Sequence, residues 1–322
     1  MTRYIRITLL GCFVLLYASC KKDVLHWQYV QQLASNTTSK LNHVRFITDS
    51  ICVIGGGVHF DKAEVLRSTD GGYTWSNYSY PEAGKGMYGL GIGTDGTIYM
   101  CGTDGCVLRS SDSGATFRFR RIWDWEYYVG VSFPSPDTGL LVTTHLDEDG
   151  SITKIDSACN IISKKYFGFG LSDIYMVNAK IGYVVGYGAV LKTTDGGLNW
   201  SYLDPYGDKF TCMDVHGDEL WLCGYAGSIF HSTDAGAHWA QLRNGNDLAV
   251  KKYRIWSIVF KDSYKGWASC DDGTVIYTDD GGRHWSEYDK FTNQALRSIV
   301  ICPNNDVMVC GDNGALYRLT PM

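Results

Sequence analysis

Residues 68–75 read Ser-Thr-Asp-Gly-Gly-Tyr-Thr-Trp, and related octapeptides return along the chain. Four close copies and one degenerate copy begin at Ser110, Thr193, Ser232, Thr278 and Lys154, respectively. Their aspartates lie 39 to 46 residues apart and are Asp70, Asp112, Asp156, Asp195, Asp234 and Asp280. A repeat of roughly 40–45 residues is the period of a four-stranded propeller blade. The repeat therefore predicts an all-β propeller.

Each copy places a hydroxyl residue, an aspartate, a glycine and an aromatic residue at fixed offsets. The aspartate can accept hydrogen bonds from the amides of its own turn, and glycine tolerates a backbone that other residues resist. The aromatic residue then enters the next strand as a large apolar body. So many similar turns cannot all be active sites. We therefore expect a structural role for Asp70, Asp112, Asp195, Asp234 and Asp280.

The repeat resembles the Asp-box, or bacterial neuraminidase repeat. That resemblance implies that each box joins the third and fourth strands of a blade, on the face away from any ligand. A second motif, Gly-x-x-Gly, recurs between the second and third strands, for example at Gly224–Gly227. Together the two motifs resemble the repeats of photosystem II assembly and stability factors of the plant and cyanobacterial type. The resemblance covers about residues 26–319 and implies a propeller fold.

The two ends of the chain carry complementary parts of one blade. A last unit, residues 296–319, has three predicted strands and stops where a box should begin. The segment His26–Gln31 resembles the aromatic and outer strand of a blade that lacks its beginning. Joining them would remove two open sheet edges, which otherwise invite aggregation. The sequence therefore predicts seven four-stranded antiparallel blades in a single domain, residues 26–322, with the last blade closed by the N-terminal strand.

Residues 1–19 read as a signal peptide. Arg3 and Arg6 precede an apolar run that is too short to span a bilayer. The following Cys20 resembles the lipid acceptor of a bacterial lipoprotein, and residues 20–25 would form a linker. The alternative is an ordinary cleaved secretory signal. The residues after Cys20 resemble lipoprotein starts of Bacteroidetes, so we expect an outer-membrane lipoprotein of the cell envelope.

Composition excludes several classes of function. The formal net charge is −5, so general nucleic-acid binding is not expected. No CxxC or Cys–His spacing indicates a metal, and no cofactor is expected. Cys101, Cys223 and Cys310 share one repeat position, which favours small buried core residues over disulfides. We expect a monomer.

Propellers usually bind ligands at the mouth of the channel, opposite the boxes. Alignment of the first strands places there four cations and three aromatic residues: Lys40, Lys209, Arg254, Arg297, Tyr88, Tyr127 and Trp256. Cations beside aromatic rings would suit an anionic or sugar ligand. The alternative is a solvated rim, and a slip of one residue in the alignment would turn these side chains away.

Two further segments are candidates for binding. Longer loops carry five residues that could bind a cation, namely His59, Asp61, His145, Asp147 and Asp149. The alternative is a charged surface turn. The segment Arg118–Trp125 alternates basic and bulky residues. It could be a partner-binding edge or a strand with solvated arginines.

Two functions remain open. The first is a non-enzymatic binding or assembly scaffold for a protein or glycan partner, since a rigid disc with variable loops needs nothing more. The second is a sialidase-like or other glycoside hydrolase. A sialidase would need three arginines, a Tyr–Glu nucleophile pair and an Asp that serves as the acid. No Arg-Ile-Pro motif occurs, and no glutamate sits plainly at the start of an inner strand. The sequence therefore favours the scaffold, with no catalytic residues.

Overall fold

The structure is a computed structural model and describes residues 24–145 and 149–322. The N-terminal strand is β1 (Trp27–Gln32). Blade 1 contains β2 (Lys40–Phe46), β3 (Cys52–Val58), β4 (Lys62–Ser68) and β5 (Ser76–Tyr80). Blade 2 contains β6 (Met87–Ile92), β7 (Ile98–Gly102), β8 (Cys106–Ser110) and β9 (Arg118–Arg121). Blade 3 contains β10 (Tyr128–Ser135), β11 (Thr138–Thr143), β12 (Gly150–Asp156) and β13 (Ile161–Phe167).

The remaining blades repeat the same order. Blade 4 contains β14 (Leu171–Met176), β15 (Gly182–Gly186), β16 (Ala189–Thr193) and β17 (Ser201–Tyr202). Blade 5 contains β18 (Phe210–His216), β19 (Glu219–Gly224), β20 (Ile229–Ser232) and β21 (Ala240–Arg243). Blade 6 contains β22 (Ile255–Phe260), β23 (Gly266–Cys270), β24 (Val275–Thr278) and β25 (Ser286–Glu287). Blade 7 contains β26 (Leu296–Ile301), β27 (Val307–Gly311) and β28 (Leu316–Pro321).

The described chain therefore forms seven four-stranded antiparallel sheets, as the repeat predicts. Blade 7 has the strand order β1-β28-β27-β26, so the N-terminal strand supplies its outer strand. In this pairing Val30 lies opposite Leu319. The indole ring of Trp27 stacks on Tyr288 of blade 6 at a centroid distance of 3.6 Å. The predicted closure of the ring by both ends of the chain is confirmed.

Helical structure is slight. The described residues contain three one-turn 3₁₀ helices, namely Pro81–Ala83, Thr103–Gly105 and Asp312–Gly314. None of them has the length and apolar character that crossing a bilayer requires.

The apolar core is divided among the interfaces between blades. Buried side chains form seven clusters, one between each pair of neighbouring blades. At the interface between blades 5 and 6, for example, the fully buried Trp221 stacks on Phe260 at 4.0 Å. Cys101, Cys223 and Cys310 are buried, unpaired members of these clusters, as expected. Because each blade packs only on its neighbours, removal of any blade would expose two apolar faces.

Five of the six repeated octapeptides form the same turn, which we call the aspartate turn, and the sixth keeps only the bonds of its aspartate. In the first copy, the amide of Thr74 donates to Asp70 Oδ1 at 2.9 Å. The amide of Gly72 donates to Ser68 Oγ at 2.8 Å, and Trp75 Nε1 donates to the carbonyl of Gly72 at 3.1 Å. Side-chain and backbone donors hold the pKa of Asp70 down to about 2, although burial opposes them. The turn therefore holds an ionised carboxylate that donors of its own turn satisfy.

Glycine is required in this turn for two reasons. Gly72 has φ +87, a conformation that side chains resist, and an added Cβ would lie 2.4 Å from Met308 Cε of blade 7. Gly197 meets Leu140 of the preceding blade in the same way. The turn thus fixes both its own hairpin and its distance to the neighbouring blade.

Candidate functional site

The antiparallel order gives the disc two different faces. The aspartate turns join the third and fourth strands and lie on one face, together with the hairpins between the first and second strands. We call this the turn face. The opposite face, which we call the mouth face, carries the starts of the innermost strands and the loops between the second and third strands. The starts of the innermost strands are where the sequence places its candidate ligand residues.

A bulge recurs at the start of every innermost strand. In each blade the register between the first and second strands shifts at the same place. The seven residues at these shifts are Asn42, Tyr88, Val129, Ser172, Thr211, Trp256 and Arg297. All seven are half-buried. A bulge re-aims a side chain, so this row is available to line the mouth and to contact the next blade.

The predicted ligand residues belong to two rows. Tyr88, Trp256 and Arg297 are bulge residues, so three side chains of the prediction occupy equivalent places in their blades. The other four are Lys40, Tyr127, Lys209 and Arg254, which lie two residues earlier, at the rim. Sequence alone does not show the bulge, which separates the two rows.

The two arginines and the tryptophan of blades 6 and 7 form one network. Arg297 makes a two-pronged ion pair with Asp312, at 2.9 and 3.0 Å, and its guanidinium lies 4.2 Å from the ring centre of Trp256. Trp256 Nε1 donates to Asp271 at 2.9 Å. Arg254 lies 3.4 Å from the same carboxylate. Arg297 is therefore held in place by a carboxylate, whereas Arg254, whose side chain is 63% exposed, makes a single long contact with one.

A second group lies at blades 1 to 3. The rings of Tyr88 and Tyr127 meet edge to face at 4.8 Å. His59, from the loop between β3 and β4, lies with Nδ1 2.5 Å from the Tyr88 hydroxyl. Burial raises the pKa of Tyr88 and Tyr127, and the charge of Arg297 opposes both shifts. The charge of Arg297 therefore favours the ionised form of both tyrosines.

The two lysines of the prediction differ in their surroundings. Lys40 is exposed at the first position of β2. Burial lowers the pKa of His59, and the charges of Lys85 and Lys40 add to that effect, so Lys40 lies near the aromatic group. Lys209 precedes β18 and pairs through its backbone with Tyr187 of blade 4. It is placed at the rim between blades 4 and 5.

Sequence reasoning missed the acidic partners of the arginines. Asp271 and Asp312 both follow the last residue of a second strand, at the Gly-x-x-Gly position of their blades. The position of these aspartates could be read from the sequence. Their pairing with the arginines could not, because it depends on the register between the first and second strands of each blade. Tyr225 was also missed, although Arg254 lies 5.5 Å from its ring centre.

The other loop candidates do not form a metal site within the described residues. In residues 24–145 and 149–322, no group of three or more His, Cys, Asp or Glu side chains could hold an ion. His145 contacts Glu126, whereas Asp147 lies outside the described residues.

The channel below the mouth carries a separate set of titratable groups. Burial and the nearby charge of Arg45 lower the pKa of His43 to about 4. Burial raises the pKa of Asp173 on the innermost strand of blade 4, and Arg45 opposes this shift. Arg45 of blade 1 therefore acts electrostatically on a carboxyl of blade 4.

Comparison with known proteins finds similar sequences. The family described as photosynthesis system II assembly factor YCF48 matches residues 166–255. The photosystem II assembly lipoprotein Ycf48 of Synechococcus sp. is 29% identical over 151 residues, which is 45% of this chain and 44% of that protein. A probable oligoxyloglucan-reducing end-specific xyloglucanase of Neosartorya fischeri is 25% identical over 34% of this chain and 15% of its own length. The matched parts thus span less than half of these curated relatives.

Solved structures agree with the fold. YCF48 from Cyanidioschyzon merolae has a TM-score of 0.67 at 16% identity, covering 90% of this chain and 98% of the other. A structure of YCF48 bound to D1 peptide has a TM-score of 0.68 at 14% identity, covering 93% of this chain and all of the other. At such identities these structures show the fold alone. Taken with the sequence matches, they identify the chain as a seven-bladed β-propeller that resembles the photosystem II assembly factors of the YCF48 type.

Proposed function

We propose that the protein is a non-enzymatic binding or assembly scaffold of the cell envelope, and that its mouth face holds a protein partner. The observation that carries this proposal is the convergence of Arg254, Arg297, Trp256, Tyr88 and Tyr127 at the starts of the innermost strands. Arginine and large aromatic residues are enriched at the centres of protein interfaces. A structural relative, YCF48, has been solved with a D1 peptide, which supports a protein over a glycan as the type of partner.

The ion pairs at the mouth suit binding better than catalysis. Asp312 holds Arg297 in one orientation with two hydrogen bonds, so little freedom of this side chain is lost when a partner docks. A glycosidase needs two carboxyl groups that flank a bond, one of them free to donate a proton. Asp271 and Asp312 are instead each paired with an arginine. If the purified protein hydrolysed a fluorogenic sialoside or glucoside, the scaffold proposal would be wrong and the protein would be a glycoside hydrolase.

The first prediction concerns the mouth arginines. We expect the double variant Arg254→Ala plus Arg297→Ala to lose at least about 90% of the partner that wild-type protein captures from envelope extract of the source cells, because truncating one interface arginine can cost 2 kcal/mol or more. Captured protein is measured by quantitative mass spectrometry.

The matched control removes two cations from the opposite face. Lys261 and Lys265 are exposed in the turn-face hairpin of the same blade as Arg254, so Lys261→Ala plus Lys265→Ala makes the same change in net charge. We expect this variant to capture as much partner as the wild type. Equal capture by both double variants would show that the mouth does not carry the function.

We further propose that the protein is anchored through Cys20, as an outer-membrane lipoprotein after removal of residues 1–19. The sequence resemblance to bacterial lipoproteins supports this, and the Synechococcus relative is itself described as a lipoprotein. We expect wild-type protein to require detergent for release from membranes, and the Cys20→Ser variant to appear in the soluble fraction. A Cys20→Ser variant that still sediments with outer membranes would contradict the anchor.

A further inference from the structure

The connection from blade 2 to blade 3 displays two tryptophans. Trp123 and Trp125 are 76% and 64% exposed, and their rings meet edge to face at 6.2 Å. The connection joins the outer strand of one blade to the inner strand of the next, so both rings lie on the mouth face. Two adjacent exposed rings form an apolar patch, and such patches mark interaction sites more often than single exposed rings do.

The chain holds these rings outward by burying the carboxylates that alternate with them. Asp124 and Glu126 both bind Lys164 of blade 3, at 3.0 and 2.5 Å. Asp124 also accepts from the Tyr128 hydroxyl at 2.5 Å. Inward anchoring of each acidic side chain leaves each tryptophan pointing to solvent.

The backbone of this connection is strained at one tryptophan. Trp125 has φ +58, a left-handed conformation that is uncommon for a bulky residue. Such strain persists where the surroundings impose it, and it collects at binding sites. The anchored carboxylates Asp124 and Glu126 lie on either side of Trp125 and restrain the backbone that carries the ring.

The tryptophan pair continues into a line of rings and cations that leads to the mouth. Arg121 lies 5.8 and 5.7 Å from the ring centres of Trp123 and Trp125, and it donates to the carbonyl of Asp104 at 2.9 Å. The carboxylate of Asp104 pairs with Lys85 at 2.8 Å. We call this line the aromatic track. It comprises Phe60, Lys85, Arg121, Trp123 and Trp125.

The inner end of the aromatic track reaches the tyrosines of the mouth. Lys85 lies 4.3 Å from the ring centre of Phe60, which is 67% exposed. Phe60 contacts His59 at 3.9 Å, and His59 contacts Tyr88 and Tyr127. The track therefore runs without interruption from the rim of blade 2 to the mouth.

One cation of the track, Arg121, favours an acidic occupant. The nearby carboxylates Asp104, Asp124 and Glu126 are paired with Lys85 or Lys164. In the part of the chain that the structure describes, the bonds of Arg121 go to backbone carbonyls, so its charge is not neutralised by a carboxylate. A sugar would require acceptors for its hydroxyl groups, but the carboxylates beside the rings are already engaged.

We propose that the aromatic track binds an extended, proline-containing segment of a partner protein that carries acidic side chains. Aromatic grooves accept polyproline II segments because these are already extended and lose little entropy on binding. Arg121 would attract the acidic side chains, while Phe60, Trp123 and Trp125 would pack on proline and aliphatic groups. The inference rests on the proposed binding function of the mouth face and names the chemistry of the partner.

The test uses the full chain and three fluorescein-labelled synthetic peptides of one proline-leucine scaffold. Every third residue is aspartate in one peptide, asparagine in the second and lysine in the third. Fluorescence anisotropy is expected to show binding of the aspartate peptide, weaker binding of the asparagine peptide and none of the lysine peptide. Trp123→Ala plus Trp125→Ala is expected to weaken binding of the aspartate peptide at least tenfold.

The control is Tyr264→Ala, which removes an equally exposed ring, at 65%, from the turn face. It should bind the aspartate peptide as the wild type does, and thermal melting verifies that both variants are folded. Equal binding of the three peptides, unchanged binding by the tryptophan variant, or preference for a xylo-oligosaccharide would overturn the track. If the Arg254→Ala plus Arg297→Ala variant loses partner capture while the Trp123→Ala plus Trp125→Ala variant keeps it, the mouth face binds the partner and the proposal for the aromatic track is wrong.

Discussion

Deletion of residues 24–32 is expected to destroy the folded propeller, whereas deletion of residues 1–23 is expected to leave it intact. The first deletion removes β1, which pairs along β28 and supplies the outer strand of blade 7. It also removes Trp27, whose stacking on Tyr288 joins blades 6 and 7. Loss of a packed tryptophan alone costs about 3 kcal/mol or more. The exposed edge of β28 would in addition promote aggregation.

The measurement is thermal unfolding by circular dichroism, combined with size-exclusion chromatography. We expect the variant without β1 to elute as aggregates with no cooperative transition. Addition of a synthetic peptide of residues 24–35 should restore a monomer, because an extended peptide can complete an open sheet edge. A monomeric deletion variant that melts at the wild-type temperature would show that the closure does not stabilise the ring.

Arg318→Ala is expected to cost about 3 kcal/mol of stability, the second largest effect. Arg318 is 3% exposed on β28, yet it binds Asp306 in its own blade at 3.2 Å and the carbonyl of Gly71 in blade 1. Its guanidinium also lies 3.9 Å from the ring centre of Tyr73. Removal of one partner of a buried ion pair costs about 3–5 kcal/mol. The lower figure applies because Asp306 retains hydrogen bonds from Asn304 and Thr320.

A double variant separates the loss of charge from the loss of packing. Arg318→Met combined with Asp306→Asn removes both charges and keeps a long side chain, and it should cost clearly less than Arg318→Ala. Urea unfolding followed by tryptophan fluorescence gives the two free energies. An alanine variant as stable as the wild type would show that Arg318 does not join blade 7 to the aspartate turn of blade 1.

The fold was predictable because its signals are local. An aspartate turn closes its hydrogen bonds within eight residues, as Ser68, Asp70 and Thr74 do, so the sequence displays the whole unit. Even the degenerate copy keeps the essential contact, since Asp156 accepts from the amide of Asn160 at 2.8 Å. The count of repeats and the matching halves at the two ends then determined the number of blades and the closure.

The candidate site was predictable only in part. The aromatic and basic character of the inner-strand starts could be read from the sequence, and Tyr88, Trp256 and Arg297 do occupy one equivalent row. Their partners could not be read, because Asp312 reaches Arg297 across a hairpin whose register depends on a bulge. A bulge leaves no residue pattern of its own in these strands.

The sequence by itself determined a closed ring of seven blades, since six blades carry their own aspartate turn and the two ends of the chain carry the two parts of the seventh. The tertiary structure decided which charges are free and which rings are exposed. Arg318 meets Gly71 across 247 residues, and Trp125 points to solvent because Lys164 of the next blade holds its acidic neighbours. Such contacts depend on how neighbouring blades pack, which no local pattern records.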